Sequence, residues 1–213
     1  MKKLVYVRAI PAMPWIKSHG PMCIELIRKY FEGNGHEVVV DESMHTPEEA
    51  PWQWVLCHEK YPGYDYILTW DLDILPQRKV DIFNDIDLQE FGACIEADGK
   101  SEVFPHYRYN CGMVGIPSMY KDLCRRIYDL WHLNPKNWPS YEQYYWNMEI
   151  GELDIYVAPI PKKYAWVISN DKPDEKPVCV HYTTSVQKKA PPFDGLVLIE
   201  EHYKRIMEKG LEE

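Results

Sequence analysis

The sequence predicts an α/β fold, a central, mostly parallel mixed β-sheet flanked by helices, on three observations. Its early apolar runs are short and continuous, as strands buried on both faces are. Between them lie segments whose apolar residues recur at helical spacing. Glycine, proline and capping residues punctuate the boundaries.

The elements are read in chain order. "KLVYVRAI" reads as a first buried strand. "SHGPMCIELIRKYFEGNG" carries apolar residues at Cys23, Ile24, Ile27, Tyr30 and Phe31, a helical stripe closed by Gly33 and Gly35. "HEVVVD" is a second strand. In "TPEEAPWQWVLCHEK", Thr46, Pro47 and Glu49 make a helix start with a capping box, and Pro51 interrupts the rest of that helix. "YDYILTW" is a third strand, and "FGACIEA" and "NCGMVGI" are two more. Ser118 opens an amphipathic helix, "MYKDLCRRIYDLW", and Ser140 opens another, "YEQYYWNMEI". "LDIYVA" and "PVCVHYT" are late strands, and "GLVLIEEHYKRIMEK" is a last helix.

The 213 residues, 46% hydrophobic and 27% charged, suit one sizeable core. Residues 1–213 therefore read as a single domain, either whole or cut from a longer protein. A net charge of -9 argues against a nucleic-acid or anionic-membrane binder, which needs a basic face. It leaves room for an anionic small substrate, because a bound metal ion reverses the local sign. Six cysteines lack C-x-x-C spacing and mostly sit in apolar runs, which points to reduced core thiols and a cytoplasmic compartment. The basic start imitates a signal peptide until Arg8 interrupts it, and no apolar run approaches the length of a membrane span.

"YDYILTWDLDILP" ends an apolar strand in Asp71 and Asp73, just before Pro76. In α/β sheets ligands sit outside the carboxyl ends of strands. Residues two apart in extended chain point to the same side, so both carboxylates face one crevice while Leu72 turns into the core. Turn chemistry alone is one reading. A second is the nucleophile motif of a haloacid-dehalogenase-type phosphatase, hhhDxDG(T/V). "ILTWDLD" resembles it, but Ile74 and Leu75 replace the next residues of that motif and the strand is the third, not the first. A third is a metal site: two hard oxygen ligands suit Mg²⁺ or Mn²⁺, which can also hold the two phosphates of a nucleoside diphosphate.

Four motifs in order carry a wider resemblance: "YILTWDLD" at 66–73, "YNCGMVGIP" at 109–117, "YEQYYWN" at 141–147 and "VHYTTSVQKK" at 180–189. Together they resemble the GT-A glycosyltransferases, and within them the family-eight, galactosyltransferase and glycogenin-like group, with its hhhDxD, "FNAGV", "DQDxLN" and "HYTG" motifs. Length and motif set also resemble a small N-terminal glycosyltransferase domain of chlorella-virus type, for which the compartment would be the host cytoplasm.

The resemblance implies a GT-A-like fold and a metal-dependent enzyme. It would move a hexose or deoxyhexose from a UDP-sugar to a glycan or glycoprotein acceptor, with retention of configuration. Asp71, Asp73 and His181 would hold the metal, Mn²⁺ with Mg²⁺ as the alternative, since an imidazole beside two carboxylates suits Mn²⁺ better. Arg8, Ala9, Ile10, Leu72 and Lys188 would lie on the nucleotide side. Asn110 and either Glu96 or Asp98 would meet the donor sugar. Gln143 would lie beneath the anomeric carbon, with Glu142 as its acidic neighbour, although Ser140 and Gln143 also form a capping box.

Tyr144 replaces the second acid of "DQD", and "HYTT" lacks the glycine of "HYTG". The aromatic segment "PWQWVLCHEKYPGY" and the loop "NPKNWPSY" are candidates for sugar stacking and for the acceptor side. A carbohydrate-binding domain without turnover on the same fold is the non-enzymatic alternative.

Overall fold

The computed structural model describes residues 1–9, 14–43, 49–95, 109–133, 141–167, 176–182 and 195–213. Its strands are β1 (Lys3–Arg8), β2 (Glu37–Asp41), β3 (Tyr66–Asp71), β4 (Ile74–Pro76), β5 (Phe91–Ile95), β6 (Tyr109–Pro117), β7 (Val157–Pro159), β8 (Trp166–Val167) and β9 (Cys179–His181). Its helices are α1 (Pro14–Gly33), α2 (Cys57–Lys60), α3 (Lys121–Leu133), α4 (Tyr141–Glu152) and α5 (Gly195–Lys209).

The main sheet has the order β2-β1-β3-β6-β5-β7. Five of its strands run one way, and β6 runs against its neighbours β3 and β5. A small second sheet, β4-β9-β8, pairs β4 antiparallel and β8 parallel to β9. This is the mixed, mostly parallel sheet that the apolar runs predict.

Both faces of the main sheet are covered, which is why β1 and β3 read as unbroken apolar runs. Val5, Val7, Leu68 and Trp70 face a core built with α1, α5 and the small sheet. Leu4, Tyr6, Ile67 and Ile116 face a second core built with α3, α4 and the Trp52–Trp54 segment. The main sheet thus forms a layer between two sets of helices, and its strand ends carry the charged residues Arg8, Asp41 and Asp71.

Several elements differ from expectation. The expected helix over 46–60 is a 3-10 turn at Ala50–Trp54 followed by the single turn α2. Pro51 stands in the first turn of the 3-10 segment, where its missing N–H costs no helical bond. Glu49 makes no side-chain cap there, and Thr46 and Pro47 lie outside the described residues. Trp52 and Trp54 are fully buried core rings, not a stacking platform. The late strand expected from Leu153 begins only at Val157, because Asp154 takes a left-handed φ of 49° at the exit of α4. All six cysteines are buried free thiols, as expected. No helix among the described residues is long and apolar enough to cross a membrane.

Candidate active site

Asp71 ends β3 and Asp73 lies in the turn between β3 and β4. Trp70 braces that turn by donating its indole N–H to the Ile74 carbonyl at 2.8 Å. Trp70 and Leu72 are buried in the core, and the alternation turns both carboxylates toward the cleft. The antiparallel register of β4 on β9 sets Ile74 opposite His181 and so delivers the imidazole to the aspartates. The Tyr182 N–H donates to the Asp73 carbonyl at 3.0 Å and fixes this junction.

One ligand atom each from Asp71, Asp73 and His181 lies within 4.8 Å of the others. His181 Nε2 is 3.4 Å from Asp73 Oδ1. The fit of a divalent ion rests on donor chemistry and on space. Two carboxylates and an imidazole are hard-to-borderline donors that suit Mn²⁺ or Mg²⁺. Gly112 leaves the space: a Cβ on it would come within 2.9 Å of Asn110 Oδ1, 2.9 Å of His181 Cε1 and 3.1 Å of Asp71 Oδ2.

The electrostatics of the cluster are those of packed acids with the guanidinium of Arg8 among them. The Arg8 guanidinium bonds Asp71 and stands 3.9 Å from Glu142 Oε1. Burial works against the charge of Arg8, but the carboxylates of Asp71 and Glu142 outweigh it and hold the guanidinium protonated. Burial pushes the Glu142 carboxyl up to about 6, against the pull of Arg8. Burial also holds the Asp71 carboxyl above the usual carboxylate range, with Arg8 opposing and Asp73 reinforcing the shift. Asp71, Asp73 and Glu142 outnumber the guanidinium of Arg8 among the described residues, so the cluster is formally acidic, the sign that draws a cation.

A bulge positions the remaining residues. The β5–β6 register shifts between Ala93 and Cys94, which face Val114 and Asn110 respectively, so Cys111 to Met113 leave the β5 ladder. The Gln143 side-chain carbonyl accepts from the Cys111 N–H at 3.1 Å. Gln143 thus turns to β6 rather than serving only as a cap, and its oxygen is engaged by backbone. The Asn110 side-chain carbonyl accepts from the Gly112 N–H at 2.8 Å. Asn147, which the motif reading gave no role, is bonded both ways to Tyr109: it accepts from the N–H at 2.9 Å and donates to the carbonyl at 3.0 Å. It also donates to the Gln143 carbonyl at 2.8 Å, one helical turn back. The i, i+4 spacing of Gln143 and Asn147 was the available signal that one face of α4 docks on this strand.

The structure therefore brings Asp71, Asp73, His181, Arg8, Glu142 and Asn110 toward one cleft at the strand ends. Ala9 is buried and donates its N–H to the Asp41 carbonyl at 3.0 Å. Leu72 packs its side chain into the core, so only its backbone is left to face a nucleotide. Ile10, Glu96, Asp98, Lys188 and the loop "NPKNWPSY" up to Ser140 lie outside the described residues.

Solved structures that share this architecture include glycosyltransferases. A glycosyltransferase involved in glycosylating the major capsid of PBCV-1 is 16% identical with a TM-score of 0.69, over 96% of this chain and 100% of that one. The glycosyltransferase GlyE of Streptococcus pneumoniae TIGR4 is 14% identical with a TM-score of 0.65, over 99% of this chain and 64% of that one. The galactosyltransferase LgtC, solved with donor and acceptor sugar analogues, is 11% identical with a TM-score of 0.60, over 95% of each chain. No protein-family model matches the sequence, and no curated protein matches it either. At these identities the likeness establishes the fold, and the GT-A-like architecture expected from the motifs is the one observed.

Proposed function

We propose that this chain is a metal-dependent glycosyltransferase. It transfers a hexose or deoxyhexose from a UDP-sugar to a glycan or glycoprotein acceptor, with retention of configuration, and residues 1–213 act as one domain. The carrying observation is the convergence of Asp71, Asp73 and His181 at the strand ends of a fold shared with glycosyltransferases.

Asp71, Asp73 and His181 would hold Mn²⁺ or Mg²⁺. That ion would supply a Lewis acid for the charge that grows on the departing diphosphate. Arg8 adds a fixed positive charge beside the same carboxylates. Asn110 is held by the Gly112 N–H through its oxygen, so its amide N–H groups are the ones left to meet donor-sugar hydroxyls. Gln143 is a neutral amide with its oxygen on Cys111, which makes it a poor nucleophile and supports front-face transfer, the acceptor entering on the side the diphosphate leaves. Glu142 is the carboxylate nearest that amide in sequence, and Arg8 orients it. Ala9 and the backbone of Leu72, with Ile10 and Lys188, line the nucleotide side in this reading; Glu96 or Asp98 holds sugar hydroxyls.

A thermal-shift titration with UDP, GDP and CMP, each with and without Mn²⁺, tests the proposal. Ligand at about 100 times its dissociation constant stabilises by roughly 2.7 kcal/mol, a visible shift. The expected result is a shift for UDP that requires Mn²⁺ and is lost in Asp73→Ala. No shift with any nucleotide sinks the proposal, and Mg²⁺-dependent release of inorganic phosphate would point to the phosphatase reading instead.

A further inference from the structure

The guanidinium of Arg8 already occupies one of the carboxylates that a metal ion would use. In the parallel register of β1 on β3, Arg8 stands beside Asp71, and their side chains share the sheet face that α4 covers. Glu142, in the first turn of α4, closes the cluster from above. The other register partner of Arg8, Asp41, is paired with Lys60 at 2.6 Å, and among the described residues Arg8 forms its ion pairs with Asp71 and Glu142. The Arg8 side chain is only 9% exposed and has little room to withdraw into water.

We infer that Arg8 is a resident counter-cation that couples metal binding to the binding of a nucleoside diphosphate. This rests on the metal site proposed above. A divalent ion arriving alone at Asp71 meets a buried positive charge on the same carboxylate, where repulsion is weakly screened. The ion must then share Asp71 with Arg8 or displace it. A diphosphate supplies the negative charge that both cations lack, and their repulsion is offset. The ion is therefore held loosely alone and tightly with the anion. Linkage requires the reciprocal effect, so the diphosphate is also held more tightly with the ion present. Arg8 thus acts through Asp71 as a positioning residue, with its guanidinium committed to carboxylates and not to the base.

Paramagnetic resonance of free Mn²⁺, titrated with and without UDP, tests this in the whole chain. In the wild type, saturating UDP is expected to tighten Mn²⁺ by about tenfold or more. Arg8→Gln keeps a hydrogen-bonding side chain but removes the charge. It is expected to bind Mn²⁺ alone more tightly, with the UDP enhancement reduced to less than about threefold. Arg8→Lys is expected to keep the enhancement. An enhancement in Arg8→Gln equal to that of the wild type overturns the role of Arg8 while leaving the metal site standing. Absence of Mn²⁺ binding in the wild type, even with UDP, overturns both. Should Arg8→Gln fail to fold, Glu142→Gln carries the test. It removes one of the carboxylates that offset Arg8 and is expected to enlarge the enhancement, and an unchanged value overturns the inference.

Discussion

The bare Cα of Gly112 on β6 lies against the Asp71 carboxylate on β3, so that a methyl group there would stand 3.1 Å from Asp71 Oδ2. The same methyl would stand 2.9 Å from His181 Cε1, tying two proposed ligands from different sheets to one glycine. The 2.9 Å approaches are shorter than real Cβ contacts, so Gly112→Ala must shift His181 or its surroundings and crowd Asp71. Misplacing a site by small amounts costs far more in function than in stability. Gly112→Ala is expected to weaken Mn²⁺-dependent UDP binding by about tenfold or more, while unfolding free energy falls by about 1 kcal/mol. Titration calorimetry and urea unfolding measure the two. Undiminished affinity would mean that the ion sits elsewhere.

A second glycine answers to packing alone. A Cβ on Gly115 would lie 1.7 Å from the Tyr66 hydroxyl oxygen and 2.6 Å from its ring carbon, so the ring lies across the β6 backbone. The hydroxyl is buried, with no hydrogen-bond partner among the described residues. Gly115→Ala overpacks this point and is expected to destabilise by about 3 kcal/mol. Tyr66→Phe removes an unsatisfied buried oxygen and is expected to stabilise by about 1 kcal/mol. Urea unfolding of both variants checks the pair. A large loss in Tyr66→Phe would show that the hydroxyl has a partner.

Long periodic elements were legible in the sequence; contacts set by register were not. The stripe of "GLVLIEEHYKRIMEK" predicts α5 to the residue, because fifteen residues give the helical period room to show. β4 and β8 are three and two residues long and carry no period; they exist because β9 pairs with them. Asp71 and Asp73 were visible from their place at the end of an apolar run. His181 was visible only through its resemblance to a known motif, since the pairing of β9 on β4 is a tertiary event. Arg8 was expected on the nucleotide side, and nothing local in its sequence says that its register partner is Asp71. The β5–β6 bulge, which frees Cys111 for Gln143, was likewise unreadable from residues that look like ordinary strand.

Stability at low pH should depend on a histidine behind the site. His202 on α5 places Nε2 2.9 Å from the Pro76 carbonyl and Nδ1 3.0 Å from the Tyr182 hydroxyl. A carbonyl only accepts, so Nε2 carries the proton and Nδ1 accepts from Tyr182, which makes the folded imidazole neutral. The ring thereby braces the exits of both β4 and β9, the strands that bring His181 to Asp73. Burial lowers its pKa from 6.5 to about 4, with the Pro76 bond opposing that shift and Arg205 adding to it. The unfolded chain therefore takes up a proton near pH 6.5 that the folded chain refuses until about pH 4. The contribution of His202 is whole above pH 6.5 and is lost as pH falls through that window, on the order of 3 kcal/mol in all. Glutamine can donate to the Pro76 carbonyl without titrating. His202→Gln is thus expected to be less stable at pH 7 but to lose less than the wild type between pH 7 and pH 4.5. Urea unfolding at the two pH values measures the difference, and parallel losses in the two proteins would mean that His202 is not held neutral in the fold.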